Sequence, residues 1–105
     1  MQNSVSFALE KFFNQLDDDK KAKYKLGIID FVSKLKLLTA ALNINDEKAI
    51  TALLHSVKPI SEYLKLNDMH ALLLRITIEN PSEYFEISPM LESQIIEIEN
   101  LLILY

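Results

Sequence analysis

Cysteine and tryptophan are absent from this chain, and glycine occurs only once. Without cysteine there is neither a disulfide framework nor a thiolate metal site, a composition that suits a reducing compartment. With one Gly and three Pro in 105 residues, no flexible or rigid linker divides the sequence, and one domain spanning residues 1–105 is expected. Long apolar runs are missing as well. None reaches the ~18 residues needed to cross a bilayer, and the opening MQNSVSFALEKFF has neither a basic start nor a small-residue cleavage site. The expectation is a soluble, cytoplasmic protein with no membrane partner.

Clustered positive charge is also scarce. The net charge is -4 and the pI near 5.1, and the one basic run, DDDKKAKYK, follows three aspartates. It reads as a solvated helix start, and nucleic acid is excluded as a partner because phosphate contacts need a basic footprint.

Half of the residues are apolar and a quarter charged. The bias towards Leu, Ile, Lys and Glu favours helix. Consecutive helices are predicted over about 4–16, 20–43, 46–66, 68–79 and from Ser88-Pro89 to the end. The second is the most periodic, with Tyr24, Ile28, Phe31, Leu35, Leu38 and Leu42 recurring at spacings of four and three. Asn45, Asp46 and Glu47 read as N-cap and first-turn acids of the third helix. Its stripe is Ile50, Leu53, Leu54, Val57, Ser61 and Leu64. Asn67 is expected to cap the fourth helix, which ends before Asn80-Pro81. Ser88 followed by Pro89 reads as a cap and first position of the fifth. Short connections between long amphipathic helices predict an all-α, antiparallel up-and-down four-helix bundle with a short additional N-terminal helix over one end.

Within the third helix, AITALLHSVKPISEYLKL places His55 about 140° and Pro59 about 180° from the apolar stripe. His55 is therefore expected to be exposed on a rigid mount, with Lys58 one turn along. Proline inside a helix removes a hydrogen bond and costs roughly 3 kcal/mol, and the carbonyl it leaves without a donor is that of His55. A neutral imidazole can attack phosphorus, a neighbouring lysine can offset phosphoryl charge, and a proline one turn away leaves room for another protein to close over the ring.

His55-Ser56-Val57-Lys58-Pro59 resembles the H-x-x-K-G signature of histidine-containing phosphotransfer (HPt) domains, with Pro59 at the glycine position. The likeness runs on through Ser61, through Tyr63-Leu64-Lys65-Leu66, where family members often read Y-L-G-L, and through Met69, Leu72 and Ile76. Upstream it includes Phe31 to Ala41 and the Asn45-Asp46 turn, so it covers about residues 20 to 104. Lys65 departs from the glycine usual at the corner.

The resemblance implies a phosphocarrier of a two-component phosphorelay and not an enzyme in its own right. It is either free-standing or a domain of a larger hybrid sensor histidine kinase. It implies His55 as phosphoacceptor, Lys58 as charge stabiliser, Thr77 on the next helix as hydrogen-bond partner of the imidazole, and Thr51, Ala52, Ser56, Pro59 and Glu62 as the docking face for receiver domains. No cofactor or metal is expected on this chain, magnesium being carried by the receiver, and a monomer is expected.

Other constellations carry less. His70 has no second ligand at metal spacing and reads as a surface histidine. Glu92, Glu97 and Glu99 lack the Glu-x-x-His motifs of di-iron bundles and read as a solvated face. Leu74, Ile78, Phe7, Phe12 and Phe13 either pack against neighbours or form a docking patch. The alternative function is a small acidic helical module that masks a protein partner, with His55 incidental. A hydrolase or metalloenzyme ranks behind both, because no paired catalytic groups are present.

Overall fold

The computed structural model describes residues 5 to 105, and among these there are five α-helices, one 3₁₀ turn and no strand. The helices are α1 (Val5–Asn14), α2 (Asp18–Ile44), α3 (Glu47–Tyr63), α4 (Asn67–Leu74) and α5 (Tyr84–Leu102), with the 3₁₀ turn at Pro81–Glu83 just before α5. Among the described residues no helix is long and apolar enough to cross a membrane. The predicted start of the first helix at residue 4 lies outside the described residues.

Helix α2 sets the long dimension. Its 27 residues rise about 40 Å at 1.5 Å each, close to the 43 Å maximum extent of the molecule. It begins where the Asp17 carboxylate accepts from the Lys20 N–H and ends at Asn45, whose φ of 54° is left-handed. Asn45 tolerates that conformation better than most residues, so it closes α2, and Asp46 supplies the cap of α3 by accepting from the Ala49 N–H at 3.2 Å. The chain thus reverses within two residues, and α3 packs back along α2.

The predicted stripes of α2 and α3 are the observed ones. Phe31, Leu35, Leu38, Ile50 and Val57 are fully buried, joined by Met69 and Leu73 of α4 and by Ile87, Leu91 and Ile98 of α5. Each such side chain contributes about 1.5–3 kcal/mol relative to an exposed one. Helix α2 packs on α3 and α5, α4 packs on α3 and α5, and α1 lies against α5 and α4. Of the α1 aromatics, Phe13 is buried and stacks on Tyr105 at 4.4 Å between centroids. Phe12 is half-buried against Tyr24 and Tyr63, and Phe7 is exposed.

Three boundaries differ from the sequence reading. Helix α4 stops at Leu74 instead of continuing to residue 79, because Ile76-Thr77-Ile78 is a β-branched run that helices disfavour and because Ile76 is buried from the loop that follows the helix. Asn67 is the first residue of α4, and no side chain caps that helix. Helix α5 starts at Tyr84, so Ser88 and Pro89 are internal to it. Ser88 is buried and donates to Oδ1 of Asn43 on α2 at 3.1 Å, while Pro81 opens the 3₁₀ turn. The start of α5 is held by Arg75, which donates to Glu83 and Glu86, and by the Tyr84 hydroxyl, which donates to the Thr77 carbonyl at 2.9 Å.

Candidate functional site

The orientation of α3 follows from its buried side. Ile50, Leu54, Val57 and Ser61 face inward with half-buried Leu53 beside them, so the opposite side, with His55, must face out. His55 is exposed, and among the described residues its imidazole makes no hydrogen bond or ion pair. Lys58, one turn on, is half-buried and joins none of the observed ion pairs. A lysine that packs its stem while its amine stays uncommitted is available to a phosphoryl group that approaches the ring.

The surrounding surface is low. Ala52 and Pro59 are exposed beside His55, Ser56 is half-buried, and Glu62 is exposed further along. Thr51 turns its hydroxyl onto its own helix, donating to the Glu47 carbonyl at 2.9 Å. Helix α3 runs through Pro59 to Tyr63. The missing N–H of Pro59 leaves the His55 carbonyl without its i+4 donor, as the sequence implied.

The corner after α3 is a Schellman motif. The Leu66 N–H donates to the Ser61 carbonyl at 2.9 Å and the Lys65 N–H to the Glu62 carbonyl at 3.1 Å. Lys65 stands at φ 60°, a conformation glycine adopts far more readily. The corner therefore keeps a glycine-type backbone although its residue is lysine.

Two expectations about side chains change. Thr77 was expected on the fourth helix as a partner of the imidazole. It lies instead in the loop beyond α4 with its carbonyl engaged by Tyr84, and among the described residues no hydrogen bond joins it to His55. His70 is not a plain surface histidine. It is half-buried, and its Nδ1 lies 2.8 Å from the Oγ of Ser61, which also donates to the Lys58 carbonyl at 2.8 Å. The only hint in sequence was the serine on an apolar stripe, a buried hydroxyl in need of a partner.

The carboxylates of α5 are also more specific than a solvated face. Glu97 accepts from Ser6 Oγ and Glu99 pairs with Lys36. Among the described residues no group of three His, Cys, Asp or Glu is placed to hold a metal ion.

Two surface cavities stand out among the described residues. One of about 370 Å³ lies between the end of α2 and the Pro81–Phe85 segment. The other, about 410 Å³, is lined by Phe7, Lys11 and Phe12 of α1 and by Tyr63 to Lys65. His55 lines neither. Its imidazole is exposed, and a second macromolecule closing over the ring would exclude water from chemistry there. Compared with known proteins, the chain matches no family model, no curated protein and no solved structure.

Proposed function

We propose that this chain is an HPt-type phosphocarrier that receives a phosphoryl group on His55 from the aspartyl phosphate of a receiver domain and returns it to another receiver's aspartate. The observation that carries the reading is an imidazole without a partner among the described residues, on the exposed side of α3, with the uncommitted Lys58 one turn away and the small Ala52 and Pro59 beside it. The packing of α2 on α3 and α5, and of α4 on α3 and α5, supports an antiparallel up-and-down four-helix bundle with α1 laid over one end. The left-handed corner at Lys65 adds to the likeness.

In the transfer, an imidazole nitrogen lone pair forms the N–P bond as the P–O bond to the donor aspartate breaks, and the carboxylate leaves with the bonding electrons. The receiver supplies magnesium and most of the charge stabilisation. This chain supplies a pre-positioned nucleophile and the Lys58 cation. Such a carrier acts in the cytoplasm, where receivers work, free-standing or as part of a hybrid kinase.

The test is phosphate transfer from acetyl-phosphate-charged receivers to the wild type and to His55→Gln. Acid-labile, base-stable label on the wild type alone is expected. Label on the mutant would exclude His55 as the acceptor.

A second reading, a module that masks a protein partner, is favoured by the cleft of about 410 Å³ beside exposed Phe7 and Tyr63. It predicts stoichiometric binding that survives His55→Gln and is lost on Tyr63→Asp.

A further inference from the structure

The chain as a whole is acidic, with a net charge of -4, yet one of its cavities is basic. The cleft of about 410 Å³ between α1 and the corner after α3 has Lys11 and Lys65 in its wall and no carboxylate. Glu10, Glu62 and Asp68, the acidic residues next to that wall in sequence, stay out of the lining. Neither lysine joins any of the observed ion pairs. Two uncommitted cations on one concave, partly apolar wall favour an anion there.

The apolar part of the wall is already fixed. The ring of Phe12 stands edge-on to Tyr24 at 5.1 Å and to Tyr63 at 6.2 Å between centroids. The hydroxyls of Tyr24 and Tyr63 are 3.2 Å apart, so α2 and α3 hold the ring that α1 contributes. Phe12 lines the cleft together with Tyr63 and Phe7, which are 63% and 56% exposed. Small-molecule sites combine such aromatic walls with a few polar groups, in volumes of about 300–1,000 Å³. Gln15 and Asn67 add side-chain amides to the lining.

Lys65 is the residue that makes the cleft more than a gap between helices. Among the described residues two non-glycines have positive φ, Asn45 and Lys65. Asparagine tolerates that region, whereas lysine has no local hydrogen bond to offset the strain. Glycine at position 65 would relax the corner but would remove one of the two cations from the cleft. Strain kept at a position whose side chain lines a cavity points to a use for that side chain.

We propose that this cleft binds a small organic acid, its aromatic or short aliphatic body against Phe7, Phe12 and Tyr63 and its carboxylate paired with Lys11 and Lys65. The proposal is independent of the phosphotransfer reading. It assigns the cleft a small anion where the second reading assigns it a protein.

Amide NMR titrations of the whole chain at low salt test it with three probes: phenylacetate, the uncharged phenylacetamide, and acetate, which has the charge without the ring. Phenylacetate is expected to saturate with a Kd of about 1–10 mM, the range open to a ligand of its size, with shifts confined to residues 7 to 15 and 63 to 67. Phenylacetamide is expected to bind about fivefold more weakly, the effect of two surface ion pairs. The double variant Lys11→Gln, Lys65→Gly is expected to bind acid and amide alike. Since glycine relieves the corner, that loss should come without loss of fold, which circular dichroism verifies. Acetate bound as tightly as phenylacetate would reduce the site to an adventitious ion only and overturn the proposal. So would phenylacetate that fails to saturate or shifts residues all over the surface, a wild type that does not prefer the acid, or a double variant that still does.

Discussion

Nδ1 of His70 on α4 and the carbonyl of Lys58 on α3 share one atom, the buried Oγ of Ser61, each at 2.8 Å. A serine hydroxyl has one proton. If it goes to the Lys58 carbonyl, His70 donates from Nδ1 and keeps its lone pair on Nε2. The hydrogen-bonded chain ties α4 to the part of α3 that follows Pro59, one turn from His55.

Ser61→Ala removes this link and leaves His70 Nδ1 without its partner, at an expected cost of about 1–2 kcal/mol. A double-mutant cycle with His70→Ala should give a coupling energy of about 1 kcal/mol in urea unfolding. Additive losses would show that the contact contributes no net stability.

At Lys65 the left-handed φ of 60° burdens a side chain with strain that glycine avoids. Lys65→Gly is expected to raise stability by about 1 kcal/mol, the αL strain relieved being partly offset by the greater freedom of the unfolded chain. A thermal melt suffices. A lower Tm would mean that the lysine side chain holds the corner.

Pro59→Ala gives α3 a backbone donor for the His55 carbonyl. The variant should be more stable by about 1–3 kcal/mol, with the position of His55 unchanged. If Pro59 serves docking, phosphate acceptance from receivers should slow although the protein is more stable. Faster acceptance would show that the proline serves no docking role.

Tyr84 provides the pH dependence. Burial, followed by the charges of Glu47 and Glu79, raises its phenol above the ordinary 10.0. A phenol that ionises less readily in the fold than in the unfolded chain contributes stability that is complete below pH 10 and is lost as the pH rises through the raised value. Tyr63, whose hydroxyl shares a hydrogen bond with Tyr24, is shifted in the same direction. The Tm of the wild type should fall above pH 10, and that of Tyr84→Phe should fall less steeply from a lower starting point, since the Thr77 carbonyl loses its donor. Parallel curves would exclude Tyr84 as a source of the slope.

The sequence made α2 and α3 legible because their buried stripes repeat at the helical period and because Asp46 and Asn45 mark the reversal between them. Exposure of His55 followed from the same periodicity. Around α4 and α5 local signals misled. Ser88-Pro89 has the form of a helix start, yet Ser88 is needed inside α5 to meet Asn43, and a tight link through Arg75, Glu83 and Glu86 moves the start to Tyr84.

The sequence by itself determined the all-helical class, the core face of each long helix and the outward mounting of His55, because periodicity and capping act within one or two turns. Only the tertiary structure decided that Thr77 lies in the loop beyond α4 and that His70 bonds to Ser61. Each depends on how two helices are placed against each other, and that placement comes from packing the core as a whole.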